Sequence, residues 1–323
     1  DGQKRVDAVI NCLKTKDPEL TRIVTRKWLI GCVACLYETE FRSKLIPVLQ
    51  GEQSWRKSAF IERIVKVIDG AFLEGAELNP DNKDSVLSCI KSWVVELGEL
   101  ERSTKNSQGS LKAFITKGVD TVRPPYLRTD VKKPRQTNFI ASVNGDSFLK
   151  DDTGSARYAV LVMTDAPDMD TLNDLLGWNW NEGKLRLVNP DNLRQFWLEI
   201  KADYDAGNGW MLTDEELKRT TSINAEFQDK GRWYQWVYER FAGGGDSSAA
   251  NWFTSADICY RYNIERGNTT QLGKALTLLA KEGHIKMKKG NGNKTYFYVD
   301  PNADDSLDYK KLNDSDDALA FFK

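Results

Sequence analysis

Apolar residues recur at three- and four-residue spacing through the first forty positions, in VDAVINCL and then TRIVTRKWLIGCVACLYE, which predicts two helices. From Leu45 to about Met163 the pattern shortens to strand-length apolar runs separated by helical and polar segments. LIPVLQG predicts a strand ending in a glycine, and SAFIERIVKVIDG a helix closed by Gly70. SWVVELGEL predicts a second strand running into acids, NFIASVN a third and RYAVLVM a fourth. Strands alternating with helices predict an α/β sheet domain. Helical periodicity returns over 191–240, in NLRQFWLEIKADYDAG and RWYQWVYERF. GGGDSSAAN, at 243–251, has the composition of a flexible linker. Behind it, ADICYRYNI, capped by Thr254 or Ser255, and TTQLGKALTLLAKEG, ended by Gly283, predict two helices. HIKMKKGNGNKTYFYV then predicts a basic hairpin turning at GNGN. Helix, helix and charged hairpin together outline a winged helix.

The expected organisation is therefore an N-terminal helical segment 1–44, an α/β core 45–190, a helical extension 191–242, a linker 243–251, a winged-helix domain 252–300 and an acidic tail 301–323. At 323 residues there is room for more than one domain, since single cores rarely grow past roughly 250–300 residues. No run approaches the roughly 20 apolar residues of a membrane span, and no secretory leader opens the chain. The first residue is Asp1 rather than Met, which predicts a piece of a longer protein.

Composition removes several chemistries. His284 is the single histidine, which excludes histidine triads and histidine-rich metal sites and leaves carboxylates, lysines, arginines and bound metal. Five scattered cysteines make no disulfide framework. Cys32 and Cys35 form a C-x-x-C, but within an apolar helical run and with no second pair at zinc spacing. Core thiols in a reducing, cytoplasmic compartment are the expectation. The net charge of −1 averages over local basic segments.

The sharpest signal is VLQGEQSWRKSAF. A strand ends at Gly51, and Lys57 and Ser58 follow six and seven residues later at the mouth of a helix, the spacing of G-x-x-x-x-G-K-[ST]. In such a loop Gly51, Glu52, Gln53, Ser54, Trp55, Arg56, Lys57 and Ser58 surround the phosphates of ATP, Lys reaches the terminal phosphates and Ser holds Mg²⁺. Arg56 occupies the place of the glycine before the lysine, where a side chain resists the required torsions. The other reading is a coincidental K-S at a helix start. Carboxylates on a neighbouring strand would complete the site: Val94 and Val95 lead into Glu96, with Glu99 and Glu101 beyond. The alternative for these acids is a solvated strand end. NFIASVN ends in Asn144, placed to sense the terminal phosphate.

Taken in order, RKWLIG, GEQSWRKS, KDSVLSCIKSWVVELGELE, LKAFITKGVDTVRPPYLR, PRQTNFIASVNGDSFLKDDTGSARYAVL and LRQFWLEIKADYDAGNGWMLTDEE resemble the virulence-associated E family of phage and plasmid proteins, relatives of superfamily 3 helicases. The resemblance runs from about Arg26 to Glu216. It implies an AAA+ P-loop core over 45–190 and a ring, expected to be a hexamer, that couples ATP and Mg²⁺ to movement on single-stranded or forked DNA. By position it makes Lys57 and Ser58 the phosphate-loop pair, Glu96 and Glu99 the acidic segment with Ser58 and Glu96 toward the metal, and Asn144 the sensor. Arg157 becomes an arginine finger acting on the neighbouring subunit, with a structural salt bridge as the alternative. The pattern departs in the loop, where Ser54 and Arg56 replace two glycines, and at Ala156, which replaces the first of two arginines. A ring that binds DNA without turning over ATP, or a sequence-specific initiator, therefore stays open beside the motor.

DNA contacts are expected in two places. VRPPYLRTDVKKPRQTNF clusters Arg123, Arg128, Lys132, Lys133 and Arg135, and by resemblance forms a hairpin with Lys132 and Lys133 near its tip. Lys112 and Lys117 are weaker candidates. In the winged helix, Lys274 lies on the recognition helix and Lys286, Lys288, Lys289 and Lys294 populate the wing, a protein-interaction module being the alternative to duplex binding. The last residues of the acidic tail resemble segments that dock on replication proteins, with a simple disordered end as the leading alternative.

Overall fold

In the computed structural model, which describes residues 1–98, 100, 105–123, 128–149, 155–242, 249–290, 292 and 294–300, the chain divides into two units, Asp1–Asp229 and Lys230–Lys323. The first unit opens with helices α1 (Val6–Asn11) and α2 (Pro18–Tyr37), then strand β1 (Ile46–Gln50) and helix α3 (Lys57–Val65). It continues through β2 (Phe72–Ala76), α4 (Lys83–Ile90), β3 (Val94–Leu97), α5 (Lys105–Ile115) and a hairpin of β4 (Val119–Val122) and β5 (Val131–Pro134). After β6 (Asn138–Val143) and β7 (Tyr158–Val162) come α6 (Met169–Leu176), a hairpin of β8 (Trp178–Asn181) and β9 (Lys184–Leu187), α7 (Pro190–Asp205) and α8 (Asp214–Asn224).

Five strands form one parallel sheet in the order β2-β3-β6-β1-β7. Parallel pairing requires helical crossovers, so both faces are covered and the strands read as continuous apolar runs. Leu49, Val94, Ile140, Ala159 and Leu161 face a core built from α1, α2, α3, α6 and α7. Val48, Val95, Phe139, Ala141 and Val160 face the other core, with Val86 and Ile90 of α4 and Leu111 and Phe114 of α5. All five residues of β1 are buried.

Tryptophans tie the layers together by placing their one polar atom on a backbone carbonyl, as a buried indole requires. The Trp28 Nε1–H donates to Phe139 O (2.9 Å) and joins α2 to β6. Trp178 and Trp197 donate to Arg63 O and Ile64 O (2.8 and 3.0 Å) at the C-terminus of α3. Those carbonyls are orphaned by the helix end, and Lys66 leaves helical torsions there. Thus α3 stops at Val65, not at Gly70 as its periodicity predicts. β2 escapes the sequence pattern because it is a half-exposed edge strand whose pairing with β3 is interrupted between Leu73 and Ala76. The other sheet edge, β7, is closed by Asn224 of α8, which donates to Tyr158 O (2.6 Å) and accepts from Val160 N (3.2 Å).

The second unit holds α9 (Arg232–Phe241), β10 (Asn251–Phe253), α10 (Ser255–Arg261), α11 (Thr269–Lys281), β11 (Lys286–Lys289) and β12 (Thr295–Val299). Its antiparallel sheet has the order β10-β12-β11. Trp236, Val237, Phe241, Ile258, Leu272, Leu276, Leu279, Phe297 and Val299 make its core. Thr254 and Asp257 form a reciprocal capping box that starts α10. Sequence periodicity groups α9 with α7 in a common extension, whereas α9 packs in the second core and α7 in the first. Asn251, assigned to the linker by composition, is the first residue of β10. The rest of the linker over 243–248 and the tail 301–323 lie outside the described residues. Among the described residues no helix is long and apolar enough to cross a membrane.

One buried ion pair fixes the hairpin that precedes β6. Arg135, 1% exposed, donates from Nε and Nη2 to the two carboxylate oxygens of Asp120, 2% exposed, at 2.8 and 2.5 Å. Its guanidinium also lies 4.5 Å from the centroid of the Phe114 ring. Removing one partner strands the other charge away from water. Arg135→Ala is expected to cost about 3–5 kcal/mol, measured by denaturant unfolding, with the double variant Asp120→Asn/Arg135→Met recovering a large part. A single variant within roughly 1 kcal/mol of the parent would show that the pair is not essential to the fold.

Candidate functional site

The carboxyl ends of β1, β3 and β6, three adjacent parallel strands, converge on one place, the position where open α/β sheets hold ligands. β1 hands over to Gly51, where a Cβ would lie 2.6 Å from the Trp55 ring and 3.1 Å from Met163 Cβ, so only glycine fits. The loop then climbs to α3. Ser54 and Arg56 take left-handed torsions on the way, with φ of 70° and 53°. These are the two positions where the sequence lacks glycine. The backbone keeps a conformation that glycine adopts freely, at a cost of about 1–2 kcal/mol for each side chain. Among the described residues no side chain caps α3, and the positive end of its dipole faces the loop, a position that favours an anion.

Lys57 starts the helix and is 7% exposed. Its Nζ donates to Gly51 O (2.7 Å), Glu52 O (2.8 Å) and Asn144 Oδ1 (2.8 Å), so the end of β6 is tied to the loop after β1. Ser58 Oγ donates to Glu96 Oε1 (2.7 Å), and Ser142 Oγ donates to the same oxygen (2.6 Å). Glu96 is fully buried, and among the described residues its Oε2 has no partner that meets hydrogen-bonding geometry, the Gly75 backbone being its near neighbour. Burial pushes the Glu96 carboxyl above the usual carboxylate range. The hydroxyls of Ser142 and Ser58 pull it back, Glu74 adds to the rise, and the Gly75 backbone offsets a little of it.

Lys57, Ser58, Glu96 and Asn144 are thus brought together. Glu52, Gln53, Ser54 and Arg56 are exposed around them, and Trp55 is half-buried over Gly51. Glu99, with Glu101, lies outside the described residues. Arg157 is remote: it precedes Tyr158, which pairs with Ile46 at the opposite end of β1, about 13 Å along the strand from Gln50. Its Nε is buried without a partner, and no ion pair to it is present among the described residues. Ser142 is not singled out by the sequence pattern, yet a signal exists: it lies on β6 two positions before Asn144, which directly follows the strand. Gln50 is a second residue of this kind, its Nε2 donating to Asp146 Oδ1 (2.9 Å) beyond β6.

The basic candidates separate. Lys132 and Lys133 are not at the tip of the β4–β5 hairpin but on β5, paired with Thr121 and Asp120. Lys132 is exposed, and Lys133 Nζ donates to Ile90 O (3.2 Å). Arg128, exposed, is in the connecting loop, of which 124–127 lie outside the described residues. Arg135 leaves the cluster for its buried pair with Asp120, and Lys112 is buried while Lys117 is exposed. In the second unit Lys274, Lys286, Lys288, Lys289 and Lys294 are all exposed. The C-x-x-C is buried; burial pushes Cys35 up to about 12 and Cys32 well above its ordinary value, which keeps both as neutral thiols in the core. Among the described residues no cluster of three or more histidines, cysteines or acids could hold a metal by itself.

A family model, the virulence-associated protein E-like domain, matches residues 1–229, the whole of the first unit. No curated protein matches the sequence. Among solved structures, the apo structure of the NrS-1 C terminal region is 13% identical, covers 93% of this chain and 76% of its own, and superposes with a TM-score of 0.45. The A form apo structure of the same region gives 13% identity, the same coverages and a TM-score of 0.42.

The geometry of the site leads to two stability predictions. Glu96→Gln removes a charge that burial disfavours and is expected to raise Tm at neutral pH. The folded-state pKa is raised, so the folded protein binds the proton more tightly and the cost of the charge accrues as pH rises from the ordinary glutamate value through the raised one. The gain from Glu96→Gln therefore vanishes in acid and is full above that window, at about 2–4 °C per kcal/mol for a unit of this size; a gain that does not change with pH would refute the assignment. At the loop, Arg56→Val is expected to lose about 1 kcal/mol or more because a β-branched residue resists positive φ, whereas Arg56→Gly melts at or above the parent temperature.

Proposed function

The chain belongs to the virulence-associated protein E-like family, and we propose that it is a ring-forming, ATP-driven DNA motor of superfamily 3 helicase type, acting in replication of phage or mobile-element DNA. The observation that carries this reading is the junction of Lys57, Ser58, Glu96 and Asn144 at the ends of three adjacent parallel strands. A lysine whose ammonium rests on carbonyls of its own loop can exchange them for phosphate oxygens. The positive end of the α3 dipole favours the same anion.

Mg²⁺ fits the donors present. Ser58 and Glu96 would hold it, the unpartnered Glu96 Oε2 is the atom still lacking a counterpart, and few protein ligands suffice because Mg²⁺ keeps waters and substrate phosphates. Bound there, it would neutralise charge on the β- and γ-phosphates. Hydrolysis forms a bond from water oxygen to the γ-phosphorus and breaks the bond from that phosphorus to the β–γ bridging oxygen. Asn144 is positioned to orient the γ-phosphate, and the water proton passes to a carboxylate of the Glu96 segment. Arg157 cannot reach the Lys57 site of its own chain across the length of β1. Read as an arginine finger, it acts on the next subunit of a ring, expected to be a hexamer. Arg128 and Lys132 on the hairpin before β6 are the motor's candidates for DNA phosphates. In the second unit the order β10-β12-β11 with α10 and α11 supports a winged helix, with Lys274 toward a major groove and Lys288, Lys289 and Lys294 beside the backbone.

A second reading, a DNA-binding ring without turnover, is favoured by Ser54 and Arg56 standing where glycines would. DNA-stimulated ATP hydrolysis decides between them. The parent is expected to hydrolyse ATP, and Lys57→Ala and Arg157→Ala to lose it, the latter by about 10³–10⁵-fold for a full arginine finger. Mixing the two inactive variants should restore part of the rate, because a ring then contains interfaces with an intact Lys57 facing an intact Arg157. A parent as inert as Lys57→Ala identifies the non-hydrolysing ring; a mixture that stays inactive removes the action in trans.

A further inference from the structure

The outer face of the three-stranded sheet in the second unit has an unusual composition. Register fixes it: Trp252 stands opposite Tyr298, Tyr298 opposite Lys286, and Tyr296 opposite Lys288. Because side chains alternate along a strand, these five share one face. Phe253, Phe297 and Val299 belong to the other face and pack in the core. Trp252 and Tyr298 touch, with ring centroids 5.2 Å apart. The Lys288 ammonium lies 4.0 Å from the Trp252 centroid, and that of Lys286 lies 6.0 Å from Tyr298. The three aromatic residues are half-buried and both lysines exposed.

Two ordinary explanations each cover half of this arrangement. Lysines on an edge strand such as β11 discourage pairing with other chains, but that does not call for a row of rings beside them. Cross-strand aromatic pairs stabilise a sheet, but that does not call for an ammonium above the rings. Rings and ammonium groups together on one accessible sheet face match a partner that is flat and apolar at one end of each repeat and anionic at the other.

We propose that this face binds single-stranded nucleic acid, with bases stacked on Trp252, Tyr296 and Tyr298 and phosphates held by Lys286 and Lys288. Every base offers a π-face, so such stacking tolerates any sequence. In a duplex those faces are hidden. Tyr296 and Tyr298 are about 6.8 Å apart along β12, about twice the roughly 3.4 Å rise of a stacked strand, so bases seated on both rings are drawn apart from each other. Only an unpaired strand does this at low cost. The lysines can leave the rings for phosphate as bases take their place. This mode of binding goes beyond the duplex binding proposed for the unit and does not depend on ATP turnover.

The test uses the full chain, an oligothymidylate carrying 5-bromodeoxyuridine, and a blunt duplex of the same length. Trp252→Leu, and Tyr296→Leu with Tyr298→Leu, are expected to weaken single-strand binding roughly five- to a hundred-fold and duplex binding little. Lys286→Gln with Lys288→Gln should lower the salt slope of single-strand binding by about 1 for each phosphate no longer held. Photo-cross-links should map to Trp252, Tyr296 or Tyr298, and should persist in Lys57→Ala, which separates this inference from the fate of the motor reading. Trp252→Phe, which keeps a ring, should retain binding and covers the case in which the leucine variants do not fold. Cross-links confined to other residues, parental affinity in folded leucine variants, or an equal loss of duplex and single-strand binding in those leucine variants would overturn the proposal.

Discussion

A parallel sheet has no bare face, and most of what this protein can do follows from that constraint. Its strands are joined by crossovers that lay helices on both sides, so β1 is buried along its entire length and its backbone can meet a ligand only where the strand ends. The order β2-β3-β6-β1-β7 then decides which ends are neighbours. With β6 between β1 and β3, polar groups from the three strand exits are gathered at a single point: the loop after β1, Glu96 on β3, Ser142 on β6 and Asn144 just beyond it.

What holds that point together is an uncommon distribution of charge. Lys57 and Glu96 are both nearly or fully removed from water, yet no hydrogen bond between them is present in the structure. Lys57 is satisfied by two carbonyls and the Asn144 amide; Glu96 is satisfied on one oxygen by two hydroxyls. A buried carboxylate with one oxygen unpartnered is costly for stability. The same arrangement makes it receptive to a cation. The left-handed torsions at Ser54 and Arg56 add a second local cost at the same place. Cost concentrated at one end of an otherwise apolar sheet is the pattern expected of a site maintained for binding rather than for folding.

The second unit solves a different problem. An antiparallel sheet can leave one face to solvent, and here helices cover only one side. The face they leave carries rings and ammonium groups, in a register that alternation imposes once β10, β11 and β12 are aligned. Its chemistry is additive and tolerant of neighbours, in contrast to the converging geometry of the first unit.

The sequence by itself determined the alternation of strands and helices in the first unit, the strand–loop–helix around Lys57 and the hairpin after α11, because each is written in local periodicity and turn residues. It also determined Glu96 and Asn144 as strand-end polar residues. It did not determine β2, whose half-exposed edge pattern carries too little apolar signal, or the end of α3, which is set by indoles from Trp178 and Trp197 more than a hundred positions away. Tertiary structure alone decided that Arg135 is a buried partner of Asp120 and not a surface cation, since the two identities differ only in what surrounds the side chain. It alone decided that Lys132 and Lys133 lie on a strand, and that Ser142 shares an oxygen of Glu96 with Ser58. It alone placed Arg157 a strand's length from the Lys57 of its own chain. Periodicity records which way a side chain points; only the order of strands in the sheet records what it meets there.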